Sequence, residues 1–363
     1  MKFDQAEIEV LALCAWCKNM PLSVSRNIPA EILDVLLFFK LIRPSRNGVG
    51  YRCTPNGYDL LHRAEIGYSQ DKSYRSSGEV LVRRLHTAEI TSFFWRYGAD
   101  VFCDSPPAEM LSNIFLPSFA LRRQPHANIL GGSRLTGFYY AKDTTFIPYY
   151  VPKENNGIYP EVEQRTFRSE TLLNGRSPHI IYTGEGDLQE IITTVSYKKE
   201  RSKKSTTVYY KDAMDKFNCP VALVPLNSDG IRQLRILSVP DYRQRLVKNI
   251  LAKDYLPPLT PQSDGRNKTT NFIIGIDCNI KRFENAIKTK KQTYIFVLPF
   301  QVDAVLKITE GTNAECFVLD LQQTEEFLGI SNDLPEINYK PFQTGKGEYI
   351  HVPPLGKGKA TGR

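Results

Sequence analysis

The first regular pattern in the chain is helical. From Gln5 to Lys18, Ile8, Leu11, Ala12 and Ala15 recur at the spacing of one helix face. Asn19 to Asn27 is a polar break with room for a short second helix. Pro29 then opens a strongly apolar helix that runs to about Lys40, with proline in the first turn, where its missing N–H is not needed. Past Lys40 the period changes. Asn47-Gly48 is suited to the positive φ of a tight hairpin turn, and two short strands flank it. Thr54-Pro55 supplies an N-cap followed by proline at the first helical position, so another helix starts there.

The order helix, helix, helix, two-stranded hairpin, helix over residues 1–66 resembles a winged helix-turn-helix. Leu41-Ile42, the hairpin, and Tyr51-Arg52-Cys53-Thr54-Pro55-Asn56-Gly57 are similar to the wing string common in bacterial regulators. The resemblance implies double-stranded DNA as partner. Lys40, Arg43, Arg46 and Arg52 put four positive charges on the wing, and no acidic residue lies between Val35 and Tyr58. Arginine in a wing can hold phosphates or enter a minor groove, so these four are the expected DNA-binding residues. The third helix is a poor reader of bases. It offers Glu31 and Asp34 among Ile32, Leu33 and Val35 to Phe39, where base-reading helices expose Arg, Asn, Gln or Ser. A winged helix that docks a protein partner or a second copy fits the same residues.

Residues 67–78 are small and polar, as in a linker. Glu79 to Tyr97 reads as a long helix with Val82, His86, Glu89 and Phe93 on one face. His86 and Glu89 could share a proton, or could form a hydrogen-bonded contact at an interface. A winged helix, a linker and then Leu85-His86-Thr87-Ala88-Glu89 is similar to replication-relaxation-type proteins of plasmids and conjugative elements, over residues 5–100. That likeness implies a non-catalytic DNA-binding protein of a bacterium or mobile element. Nothing past residue 100 matches, so it assigns no site residue there.

Later patterns mix both periods. Arg134–Tyr140 and Thr144–Val151 read as a hairpin, His179–Tyr182 as a strand, and Leu188–Val195 as helix or strand. Glu161 and Glu163 alternate as on a solvated strand face. Val221–Leu226, Asn271–Asp277 and Gln292–Phe300 are strand-like, with helices expected at 228–236, 243–251 and 281–288. The expected fold is α+β or α/β, a winged helix-turn-helix followed by a mixed α/β domain. Its regions are 79–197 (helix plus β-rich), 198–344 (α/β) and a Gly- and Lys-rich tail at 345–363.

Charge and chemistry narrow the partners. Lys plus Arg is 47 against 39 acidic residues, a net +8, compatible with a polyanion. Residues 1–66 are nearly neutral, however, so their positive charge is local to the wing. Further basic groups lie at 198–204, at 281–291, and at Arg232, Arg235, Arg243, Arg245 and Lys248; together they could form a phosphate track. Seven widely spaced cysteines are not a disulfide framework and point to a reducing, cytoplasmic setting. Cys14-Ala15-Trp16-Cys17 lacks the second ligand pair of a zinc site and reads as buried helix face. No run of 18 apolar residues exists and the N-terminus is unlike a signal peptide, so no membrane partner is expected. There is no G-x-x-x-x-G-K, H-x-H, H-E-x-x-H, Asp-x-Lys or Glu-x-Lys. The expectation is therefore no metal and no cofactor, with a divergent nuclease or relaxase as the enzymatic alternative.

Overall fold

The computed structural model describes residues 2–46, 48–66, 78–103, 112–122, 130–153, 157–167, 173, 175–197, 207–289, 291–330 and 350–351. The chain forms two compact units, Met1–Arg96 with Ile337–Arg363, and Tyr97–Glu336. The division falls after the long helix instead of before it. The expected linker lies outside the described residues apart from Gly78, which already begins that helix.

The first unit runs β1 (Lys2–Phe3), α1 (Gln5–Cys17), β2 (Met20–Pro21), α2 (Leu22–Ser25), α3 (Ala30–Phe38), β3 (Ile42–Pro44), β4 (Gly50–Cys53), α4 (Pro55–Arg63) and α5 (Gly78–Arg96). The strands β2-β4-β3 form one antiparallel sheet. β1 pairs antiparallel with Ile350–His351, two residues of the segment read as a tail. α1 starts in a capping box: Asp4 accepts from Glu7 N at 2.7 Å and Glu7 accepts from Asp4 N at 2.8 Å. The spacing marks one apolar face, yet every residue from Ile8 to Cys17 is buried. Val10, Leu13, Cys14, Trp16 and Cys17 make the helix apolar all round, so it sits in the middle of the unit against α3, α4 and α5.

The second unit contains two sheets. Its first half runs β5 (Ile114–Pro117), α6 (Ser118–Leu121), β6 (Gly137–Tyr140), β7 (Thr144–Tyr150), β8 (Gly157–Ile158), α7 (Pro160–Phe167), β9 (Ser177–Thr183), α8 (Leu188–Ser196), β10 (Val208–Tyr209), α9 (Tyr210–Ala213) and β11 (Val221–Leu223). β5-β6-β7 is an antiparallel meander, and β9 and β11 add parallel to it in the order β11-β9-β7-β6-β5. The second half runs α10 (Ser228–Leu237), α11 (Tyr242–Leu251), β12 (Gly265–Arg266), β13 (Asn271–Ile274), α12 (Ile280–Ile287), β14 (Thr293–Val297), α13 (Val302–Thr309), β15 (Ala314–Val318) and α14 (Leu321–Leu328). Here β13, β14 and β15 are parallel, joined by helical crossovers. A boundary at 197/198 does not appear, because β9 and β11 pair across it. Leu223 N donates to the Asp277 carbonyl at 2.9 Å, joining the two halves. The architecture is mixed α/β, with helices and several sheets. Among the described residues no helix is long and apolar enough to cross a membrane.

Candidate nucleic-acid interface

The hairpin β3–β4 is built from its base upward. Thr54 caps α4, accepting from Gly57 N at 3.2 Å, while its hydroxyl donates toward the Lys40 carbonyl at 2.6 Å and the Leu41 carbonyl at 3.1 Å. Gly57 is required by close approach: a Cβ there would sit 2.4 Å from the Leu41 carbonyl oxygen. The Thr-Pro-x-Gly string thus ties the start of α4 to the end of α3. α3 closes in a Schellman arrangement, with Lys40 N on the Leu37 carbonyl at 2.9 Å and Leu41 N on the Leu36 carbonyl at 2.8 Å. This puts Lys40 at φ +55°, a position that favours glycine. Lysine costs about 1 kcal/mol there, partly offset by a cation at a helix C-terminus.

Along the hairpin, Ile42 faces Cys53, Arg43 faces Arg52 and Pro44 faces Tyr51. Residues directly opposite share a face of the sheet, so Arg43 and Arg52 stand as neighbours; Ile42, on the alternate face, is buried. Two like charges in this position destabilise a hairpin, and an anion seated on that face offsets the cost. In the turn, Ser45 N donates to the Gly50 carbonyl at 2.8 Å, and Val49 N to the Ser45 hydroxyl at 3.2 Å. Arg46 is exposed beside it. The four expected residues are therefore brought to one hairpin: Lys40 at its base, Arg43 and Arg52 across its strands, Arg46 at its tip. Lys40, Arg43 and Arg46 are exposed and Arg52 is half-buried.

α3 presents a surface that pattern reading misses. Of its residues only Leu36 is fully buried, and Glu31 and Asp34 are exposed. Phe38 is 79% exposed. Five apolar residues in a row, Val35 to Phe39, go once round a helix of 3.6 residues per turn, so one of them has to point outward. Phe39 meets Phe3 edge to face at 5.5 Å and Phe38 at 5.0 Å.

The other basic groups do not form the expected track. Arg232 forks onto Glu325 at 2.6 and 3.2 Å. Arg243 pairs with Asp277, and Arg282 is buried between Asp264 and Asp277. Lys281 lies 3.7 Å from both Asp212 and Asp215. Arg245 reaches the Phe327 carbonyl at 3.3 Å, and Lys248 sits over the Tyr255 ring. Much of this charge is matched inside the second unit. Residues 198–204 lie outside the described residues.

Two buried polar groups also differ from expectation. Glu163 is on α7, not on a strand, and is buried; helix spacing separates it from exposed Glu161. It accepts from Arg134 N at 2.9 Å, Tyr149 OH at 2.8 Å and the Ser133 hydroxyl. Burial raises its pKa and pushes the Tyr149, Tyr182 and Tyr210 phenols up as well, away from nucleophilic use. His179, on β9, stacks near Phe146, and burial, helped by Arg243, pushes its imidazole down to about 3. Of the pair on α5, Glu89 accepts from Ser23 Oγ at 2.5 Å, a contact within the first unit. Among the described residues, no three His, Cys, Asp or Glu side chains gather as metal ligands. Compared with known proteins, the chain matches no family model, no curated protein and no solved structure.

Proposed function

We propose that the first unit is a winged helix and that the protein binds DNA without catalysis, contacting the duplex through the hairpin β3–β4. The order α1, β2, α2, α3, β3, β4, α4 supports the winged helix. The observation that carries the function is the Arg43–Arg52 cross-strand pair, flanked by Lys40 and Arg46. In this reading Arg43 and Arg52 share a phosphate, Arg46 reaches along the backbone or into the minor groove, and Lys40 holds a phosphate at the base. α3 contributes no base-reading donor, so affinity is dominated by charge.

Binding of labelled duplex by the full chain across a salt series tests this. Loss of two phosphate contacts in the Arg43→Ala/Arg46→Ala double variant is expected to flatten the log–log salt slope by about two. Unchanged affinity and slope overturn the assignment. A second reading, protein docking through α3, is favoured by exposed Phe38. It is supported if light scattering shows an oligomer that Phe38→Ala disperses while DNA binding is absent at low salt.

A further inference from the structure

We infer that Phe38 is a stacking platform for a nucleobase held out of the duplex stack, so that the first unit prefers DNA carrying an unpaired base beside a duplex. This rests on the reading of the hairpin as a phosphate-binding element.

The inference starts from what is outward at the end of α3. Phe38 is 79% exposed, an uncommon position for a large apolar ring. It is also held. Its ring is edge-on to Phe39 at 5.0 Å and 87°, and Phe39 is in turn edge-on to Phe3 at 5.5 Å and 83°. A ring fixed in this way presents a face without needing to be ordered on binding.

The charges around it point to a polyanion. Lys40 follows two residues later, exposed, in the left-handed turn that closes α3, and Arg43 begins the cationic face of the hairpin. The acidic residues of α3, Glu31 and Asp34, lie towards its N-terminal end. An aromatic face interleaved with phosphate-binding cations is how single-stranded nucleic acid is held, because every base has a π face. The same helix lacks donors for major-groove edges, so an intact stack gives it little to recognise. An unstacked base gives Phe38 a partner while Lys40 and Arg43 take the flanking phosphates.

The test uses the full chain, with two labelled DNA probes of the same sequence: an intact duplex, and that duplex with an unpaired three-nucleotide bulge. The wild type is expected to bind the bulged probe about tenfold more tightly, the scale of one base–aromatic stack. Phe38→Ala is expected to remove the preference while leaving duplex affinity and salt slope unchanged, and Phe38→Trp to retain it. Near-equal preference in the wild type and Phe38→Ala overturns the inference, as does a change in oligomeric state on Phe38→Ala with both affinities intact. If the wild type binds duplex through Arg43 and Arg46 but ignores the bulge, only this inference falls. If it binds neither probe, the proposed function falls with it.

Discussion

Replacing Glu9 with glutamine should stabilise the first unit at neutral pH and do nothing for it in acid. Glu9 lies in the middle of α1 with no exposed surface. Its Oε1 accepts from Gln5 Nε2 at 2.9 Å, and its Oε2 has no hydrogen-bond partner. Burial pushes this carboxyl up from 4.5 to about 8. At pH 7 the folded chain therefore keeps a proton that the unfolded chain has released. Between about 4.5 and 8 the unfolded state binds fewer protons than the native state, so stability falls as pH rises through this window. By pH 7 the accumulated loss is about 3 kcal/mol.

Glutamine has the shape of the protonated acid and no proton to lose. Its amide N–H group takes the place of the unpartnered oxygen at a cost of about 1 kcal/mol, leaving a net gain of about 2 kcal/mol at pH 7. The assay is urea denaturation of the full chain at a series of pH values, followed by tryptophan emission. Both tryptophans, Trp16 and Trp95, belong to the first unit, so the signal reports that unit alone. The wild-type midpoint should fall from pH 5 to pH 8, and the Glu9→Gln midpoint should stay level and cross above it. A wild-type midpoint independent of pH, or a variant weaker at every pH, refutes the reasoning.

His179 sets the opposite slope in the second unit. Its imidazole is held down at about 3 against an ordinary 6.5, so the unfolded chain takes up a proton first and stability is lost as pH falls from 6.5 towards 3; His179→Phe should blunt the acid transition followed by far-UV circular dichroism, and an unmoved transition counts against it. Lys40→Gly should raise the tryptophan-monitored stability of the first unit by about 1 kcal/mol by relieving the left-handed residue. The same variant should weaken DNA binding severalfold; a variant that gains stability with full affinity shows that Lys40 serves only the helix end.

Local order was readable where neighbours in sequence decide it. The capping of α4 by Thr54, the hairpin turn at Gly48 and the helical course of α1 and α3 all depend on residues within a few positions. What pattern reading missed depends on distant partners. The cations grouped by sequence at 232–248 and 281–291 looked available, but Glu325, Asp264, Asp277, Asp212 and Asp215 reach them from other elements. Glu161 and Glu163 looked equivalent until the helix turned one of them into the core. The wing differs because β3, its turn and β4 contain no acidic residue, and the register puts Arg43 directly against Arg52. An ion pair inside the fold quiets a cation, whereas a cation set against its own kind is relieved by an anion from outside. Net charge does not separate these cases; pairing does, and it singles out the hairpin as the place to look for a polyanion.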